Sequence, residues 1–240
     1  MKSVAVVTVT NGNRTPELIH CVNKLDVQTY PVMHYILCDG DFETFLRTRK
    51  RFESPTRRVC YWDAFIGGKD LEGRKWLAAA PMMVNEDITL FCNDDDWYKP
   101  DHVETIVDKI ESGYDWAYSF RSIHDKEGHF LFDDNCEALG EASSAWNLPG
   151  HHFVDWCMWG MLTSKLRNIS SILAEKGYGI DRQFYQLAKQ VYPNFTGTNQ
   201  HTFCFRLGGN AYSVQEQFFI EGNAFMRERY NNRLPWLKYE

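Results

Sequence analysis

The chain has no apolar run approaching the roughly 20 residues that a bilayer-spanning helix needs, so no transmembrane segment is expected, and the protein reads as soluble or at most peripheral. It has no C-x-x-C pair either. Its seven cysteines (Cys21, Cys38, Cys60, Cys92, Cys136, Cys157 and Cys204) are dispersed and odd in number, which argues against a disulfide framework or a zinc site and for a reduced, cytoplasmic protein. Positive charge is in deficit: a net charge of −6 gives no overall attraction to nucleic acid or anionic lipid. The stretch Met1 to Thr10 is too short in apolar residues for a secretory signal and carries no small-residue cleavage site, so it reads as a first strand. No internal repeat or low-complexity segment is visible.

What the chain does have is core material and a concentration of carboxylates. At 240 residues and 44% apolar composition it is large enough to fold alone, and an aromatic share of 15% suits either a core or a ligand with flat apolar faces. Ile88-Thr89-Leu90-Phe91 runs directly into Cys92-Asn93-Asp94-Asp95-Asp96 and then Trp97-Tyr98-Lys99-Pro100-Asp101. Three carboxylates at the exit of a buried strand repel one another unless a cation or a set of donors offsets them. Hard oxygen ligands favour Mg2+ or Mn2+, which in turn favour a diphosphate as co-ligand. The plainer alternative is a solvated turn before a capped helix.

The first half alternates short β-rich runs with helical patterns. Strands are expected near Val4 to Thr10, His34 to Cys38, Arg58 to Trp62, Ile88 to Phe91 and Trp116 to Phe120, with helices over Pro16 to Leu25, Glu72 to Val84 and Pro100 to Glu111. This is a βαβ succession, hence an α/β fold with a mostly parallel sheet flanked by helices and ligands bound beyond the carboxyl ends of the strands. Three polar clusters fall at those ends: Asn11-Gly12-Asn13-Arg14, Asp39-Gly40-Asp41 and the triple Asp. Past residue 120 a hairpin turn is expected at 124–129, a loop from Glu137 to Gly150, a helix from Asp181 to Val191, a strand from Thr202 to Leu207 and an amphipathic segment from Val214 to Asn231. One domain over 1–240 is expected, its C-terminal third completing the second half of the pocket.

Taken in order, these segments resemble the family 2 glycosyltransferases of the GT-A fold. Val4 to Arg14 is similar to that family's first strand and T-x-Asn-Arg turn, Leu25 to Tyr30 to its Q-T-Y helix end, Ile36 to Gly40 to its Asp-ending strand, and Asn93 to Asp101 to its D-x-D segment with trailing W-x-x-P-D. The resemblance implies a nucleotide-diphosphate sugar donor, Mn2+ or Mg2+, and an inverting transfer to an acceptor hydroxyl, of a carbohydrate or other acceptor. It implies that Thr10 and Asn11 line the base pocket, Asp39 accepts from the nucleobase, Arg14 or Arg74 approaches the diphosphate, Asp94 bonds the ribose, and Asp95 or Asp96 binds the metal alongside it. Gly179 to Phe184 resembles the helix start whose Asp is the general base, here Asp181. Asp155 to Trp159 resembles the acceptor segment, with Asp155 as a second catalytic carboxylate and Trp156 and Trp159 stacking on a sugar. Phe203 to Ser213 is similar to a Y-R-x-H-x-x-N-x-S element, but Leu207 and Gly208 stand where the metal-associated His would be.

Three rivals remain at this stage. A nucleotidyltransferase would share the nucleotide half, although Asn11-Gly12-Asn13-Arg14 is a poor phosphate loop. A catalytically decayed GT-A scaffold would bind without turnover. A phage-type transferase acting on a modified DNA base would use the cations interleaved with aromatics from Phe225 to Tyr239, a pattern otherwise explained by a helix with a basic outer face.

Overall fold

Val4–Thr10 (β1), Met33–Cys38 (β2) and Ile88–Phe91 (β4) are apolar on nearly every residue and buried nearly end to end, the pattern of parallel strands covered on both faces. The computed structural model pairs them accordingly, and it describes residues 1–39, 41–61, 74–142, 145, 152–175, 179–208 and 214–237. With Arg57–Cys60 (β3) they form the parallel block β3-β2-β1-β4. The helices that return the chain are Thr15–Leu25 (α1), Phe42–Phe52 (α2) and Arg74–Met83 (α3). Alternation along β2 sends Ile36 into a small cluster with Leu18 and Val22 of α1, Phe52 of α2 and Val59 of β3, while Tyr35 and Leu37 join the main core with Trp76, Leu77 and Ala80 of α3.

The second half continues the same sheet. Trp97–Tyr98 (β5) is followed by His102–Glu111 (α4), Trp116–His124 (β6) and Phe130–Asp133 (β7), then Trp159–Leu162 (β8), the single turn Thr163–Leu166 (α5), Ile180–Val191 (α6), Phe195–Arg206 (β9) and Glu216–Arg229 (α7). β8 runs antiparallel between β4 and β6, β9 lies parallel to β6, and β5 closes the order antiparallel to β9, with β7 hairpinned onto β6. The long ladders are parallel and the antiparallel ones short, so the mixed, mostly parallel sheet expected from the sequence is the one observed. No helix among the described residues is long and apolar enough to cross a membrane.

The expected strands and helices of the first half all form within a few residues, apart from Trp62, Glu72 and Gly73, which lie outside the described residues. The short strands β5 and β8 were not among the expected elements, and two longer elements also differ. β9 begins seven residues before the expected strand, because Trp116 stacks on Phe195 at 4.2 Å and pairs with it in register. The helix α2 was not expected at all; Asp41 caps it, accepting from Thr44 N–H at 2.7 Å.

Two buried histidines tie stability to pH. His34 Nδ1 accepts from Arg57 Nε at 3.3 Å, which leaves its Nε2–H to donate to Thr8 Oγ1 at 3.0 Å and leaves no room for a second proton. Burial, with Arg57 adding to it, lowers its pKa to about 3, and burial alone does the same for His102, stacked on Tyr98 at 3.9 Å. The unfolded chain therefore binds protons that the folded one refuses, and these residues' contribution falls as pH drops from about 6.5 toward 3. We predict that the stability advantage of wild type over His102→Gln narrows by about 1.4 kcal/mol per pH unit below about 6.5, measured by urea unfolding. A gap that stays constant down to about pH 5 would remove the assignment.

Candidate nucleotide and catalytic site

The carboxyl ends of β1, β2 and β4 lie side by side, so the three polar clusters meet. Asp39 N–H donates to Thr10 C=O at 2.7 Å, which joins the ends of β2 and β1, and Thr10 Oγ1 donates to Asp94 Oδ2 at 2.8 Å, which joins β1 to the loop after β4. The loop after β1 is drawn tight: Asn11 Oδ1 accepts from Asn13 N–H at 3.0 Å, and Gly12 has φ of +79°. A Cβ on Gly12 would come within 2.4 Å of Thr44 Cγ2. Only glycine lets this loop rest against the start of α2.

Arg14 precedes α1 and does not cap it with its side chain. Its Nη1 instead donates to Asp95 Oδ2 at 2.6 Å and to Asp94 Oδ1 at 3.3 Å. Burial works against the Arg14 charge, but Asp95 and Asp94 outweigh it and its pKa is raised. One guanidinium does not neutralise the group. Burial first, then the neighbouring Asp95, lifts Asp94 to about 6 against the pull of Arg14 and Thr10; burial also raises Asp95.

Asp96 is placed differently from its two neighbours. It is 1% exposed, and its carboxylate accepts from Arg206 N–H at 2.9 Å and from Asn93 Nδ2 at 2.9 Å, with burial holding its pKa well above the carboxylate range. Arg206 comes from the end of β9, where it also donates from Nε to Asp95 C=O at 2.9 Å and lies over Trp97 at 5.0 Å. Of the two candidates to hold a metal beside Asp94, Asp95 shares Arg14 with it, while Asp96 faces inward as the anchor of β9. Among the described residues no group of three or more His, Cys, Asp or Glu side chains is placed to hold a metal ion.

Asp39 is buried, and its Oδ1 accepts from Trp76 Nε1 of α3 at 2.8 Å. Asn11 is exposed at the mouth of the crevice. Arg74 opens α3, but its side chain lies outside the described residues. Arg206, Trp76 and Thr44 are supporting residues that sequence reasoning did not assign. Arg206 alone had a signal, standing in the segment already matched to the Y-R-x-H element.

On the acceptor side, Asp155 caps the short 3-10 turn Trp156–Met158, its Oδ1 accepting from Cys157 N–H at 2.9 Å. It lies close enough to Asp96 and Arg121 for its charge to raise the pKa of both. Trp159 is 3% exposed, packed between Trp116 at 4.7 Å and Phe184 at 4.5 Å. With its ring in the core it does not present a face to a sugar, which corrects the acceptor role expected for it; Trp156 is half-buried. Asp181 sits in the first turn of α6 with Arg182 Nη1 at 3.9 Å. No contact ties Asp181 to Asp94, Asp95 or Asp155 among the described residues; its neighbour Arg182 instead donates to Glu137 Oε1 at 3.0 Å. Glu137 in turn receives Arg121 Nη2 at 3.0 Å, and Arg121 Nε donates to Asp134 Oδ2 at 2.7 Å. The C-terminal aromatics divide between core and surface: Phe219 and Trp236 are buried, Phe225 is exposed, and Arg227, Arg229 and Arg233 are exposed.

No family model and no curated protein matches the chain. Solved structures do. The chain is similar to S. aureus TarS 1-349 in complex with UDP-GlcNAc at a TM-score of 0.63 and 14% identity, over 100% of this chain and 68% of that one. It matches the complex with UDP at 0.60 and 14%, over 100% and 67%, and TarS 1-349 without those ligands at 0.61 and 12%, over 85% and 60%. The chain thus spans about two thirds or less of the TarS fragment it matches. At such identity the likeness is one of fold, and it makes this sheet, with its crevice at the ends of β1, β2 and β4, a GT-A type architecture.

Proposed function

We propose that the chain is a glycosyltransferase that takes a sugar from a nucleotide-diphosphate donor and passes it, with inversion, to an acceptor hydroxyl. The observation that carries this reading is the junction of Thr10, Arg14, Asp94 and Asp95, where two buried carboxylates share one guanidinium at the ends of parallel strands, beside Asp39. The fold likeness to TarS, a staphylococcal glycosyltransferase with UDP and UDP-GlcNAc complexes, supports it from a separate direction. In this reading Asp39, with Thr10 and Asn11, receives the base, Asp94 accepts from the ribose hydroxyls, and Arg14 moves from the carboxylates toward the diphosphate.

Asp94 and Asp95 fit a divalent cation in chemistry. Both are hard oxygen donors whose raised pKa values mark a site short of positive charge. Mn2+ or Mg2+ held there with the diphosphate would supply charge stabilisation of the departing nucleotide. Asp155 and Asp181 are the carboxylates proposed to take the acceptor hydroxyl's proton. Asp181 has the stabilising field of a helix N-terminus, and Asp155 stands near enough to Asp96 for the two charges to interact.

The test is a thermal-shift panel of nucleoside diphosphates, each with and without Mn2+, on wild type and Asp95→Asn. One nucleotide, UDP being the first candidate, is expected to stabilise the wild type by about 2.7 kcal/mol at a hundredfold excess over Kd, with the metal-dependent part lost in the variant. A panel without any response would sink the donor assignment.

A further inference from the structure

The helix α2 carries charge of the wrong sign for this protein. Its eleven residues hold four cations, Arg47, Arg49, Lys50 and Arg51, against one carboxylate, Glu43, in a chain of net charge −6. Thr44, Thr48 and Phe52 turn inward, and all four cations are exposed. Between them, one helical turn apart, stand two apolar side chains that the fold leaves in solvent, Phe42 at 53% and Leu46 at 41% exposure. Leu46, Arg49 and Lys50 also line a shallow groove that ends at Glu53 and Ser54, where Arg49 pairs with Glu53.

We infer that α2 is the surface by which this protein docks, peripherally and reversibly, onto an anionic phospholipid membrane. The complementarity has two parts. Lys and Arg near an anionic bilayer gain from its negative surface potential, and Phe and Leu side chains projecting from the same helix face can enter the boundary between headgroups and acyl chains. A nucleic acid would use the cations as well, but Leu46 would contribute nothing to phosphate contacts and would remain exposed. The lipid surface accounts for both sets of side chains, whereas a polyanion accounts for one. α2 starts three residues beyond Asp39, so a seated α2 holds the crevice mouth within about 16 Å, one helix length, of the bilayer.

The experiment is co-sedimentation of the full chain with vesicles of phosphatidylcholine alone and with an equal share of phosphatidylglycerol, at low and at physiological salt. Binding is expected to the mixed vesicles only and to weaken with salt. Arg47→Glu/Lys50→Glu is expected to lose at least about 100-fold in partition coefficient. Leu46→Ser is expected to lose about tenfold. Cooperative melting of both variants, whose altered residues are exposed, separates lost docking from lost folding. Failure of the wild type to bind mixed vesicles at low salt overturns the inference, as does equal binding by Arg47→Glu/Lys50→Glu. Duplex DNA binding that is abolished by the charge reversal and untouched by Leu46→Ser, with no vesicle binding, would reassign the face to a nucleic acid.

Discussion

Asp94→Asn is expected to lower kcat/KM for the donor sugar by about 100- to 1,000-fold while leaving the fold as stable as before or more so. The two halves of that expectation come from the same geometry. Asp94 touches both Thr10 and Arg14, and an amide in its place keeps an oxygen for Thr10 but loses the charge that orients Arg14. It would also turn a strong charge-assisted acceptor for a ribose hydroxyl into a neutral one, a loss of roughly 1–2 kcal/mol before any effect on the metal. Yet the buried carboxylate is itself unfavourable: burial and the adjacent Asp95 raise its pKa to about 6, and a neutral isostere relieves both. Turnover assayed as nucleotide release, alongside urea unfolding at neutral pH, reads the two effects separately. Retention of activity within a few-fold would remove Asp94 from the donor site, and a large loss of stability would mean that it is a structural pair with Arg14.

How much of this was legible depends on whether a residue's partners are local. β1, β2 and β4 announce themselves, because a strand buried on both faces is an apolar run and a polar cluster directly after it marks the end at which ligands gather. α2 was missed for a physical reason. Its inward face is made of Thr44, Thr48 and Phe52, so it lacks the apolar period by which helices are recognised, and its remaining positions are mostly charged. The role of Asp96 was illegible for another reason. Three consecutive aspartates look equivalent in sequence, but the two-residue strand β5 pairs with β9, Trp97 opposite Cys204, and brings Arg206 from 110 residues away onto the third carboxylate. Trp159 likewise reads as a sugar platform until Trp116 and Phe184 occupy its faces. The N-terminal half of the site was therefore visible through local order, whereas the roles of Asp96 and Trp159 depend on long-range pairings.

The largest loss of stability is expected away from the donor crevice, at Arg121. Its side chain is 5% exposed, Asp134 is fully buried and Glu137 is 12% exposed, and Arg121 binds both carboxylates while lying over Phe205 at 5.2 Å and Phe219 at 5.1 Å. Replacing it with methionine keeps much of the aliphatic stem but leaves Asp134 and Glu137 without their shared cation. Removing one partner of such a buried pair costs about 3–5 kcal/mol, because a desolvated charge is left uncompensated. Arg182 softens the loss at Glu137, which it also binds, so the burden falls on Asp134. Asp134 also accepts from the backbone N–H groups of Cys136 and Glu137 at 2.9 and 3.0 Å, which hold the chain's exit from β7. Asn at 134 preserves an acceptor for those groups, so Arg121→Met/Asp134→Asn should regain a good part of what Arg121→Met loses, a coupling readable in a double-mutant cycle by urea unfolding. A cost below about 1 kcal/mol for Arg121→Met would mean that the network contributes little net stability, as paired buried ions sometimes do when the site can rehydrate. Since β7, the loop after it and α6 meet through Arg121, Glu137 and Arg182, a full-sized loss would also make this network the tie between the edge hairpin and the helix that carries Asp181.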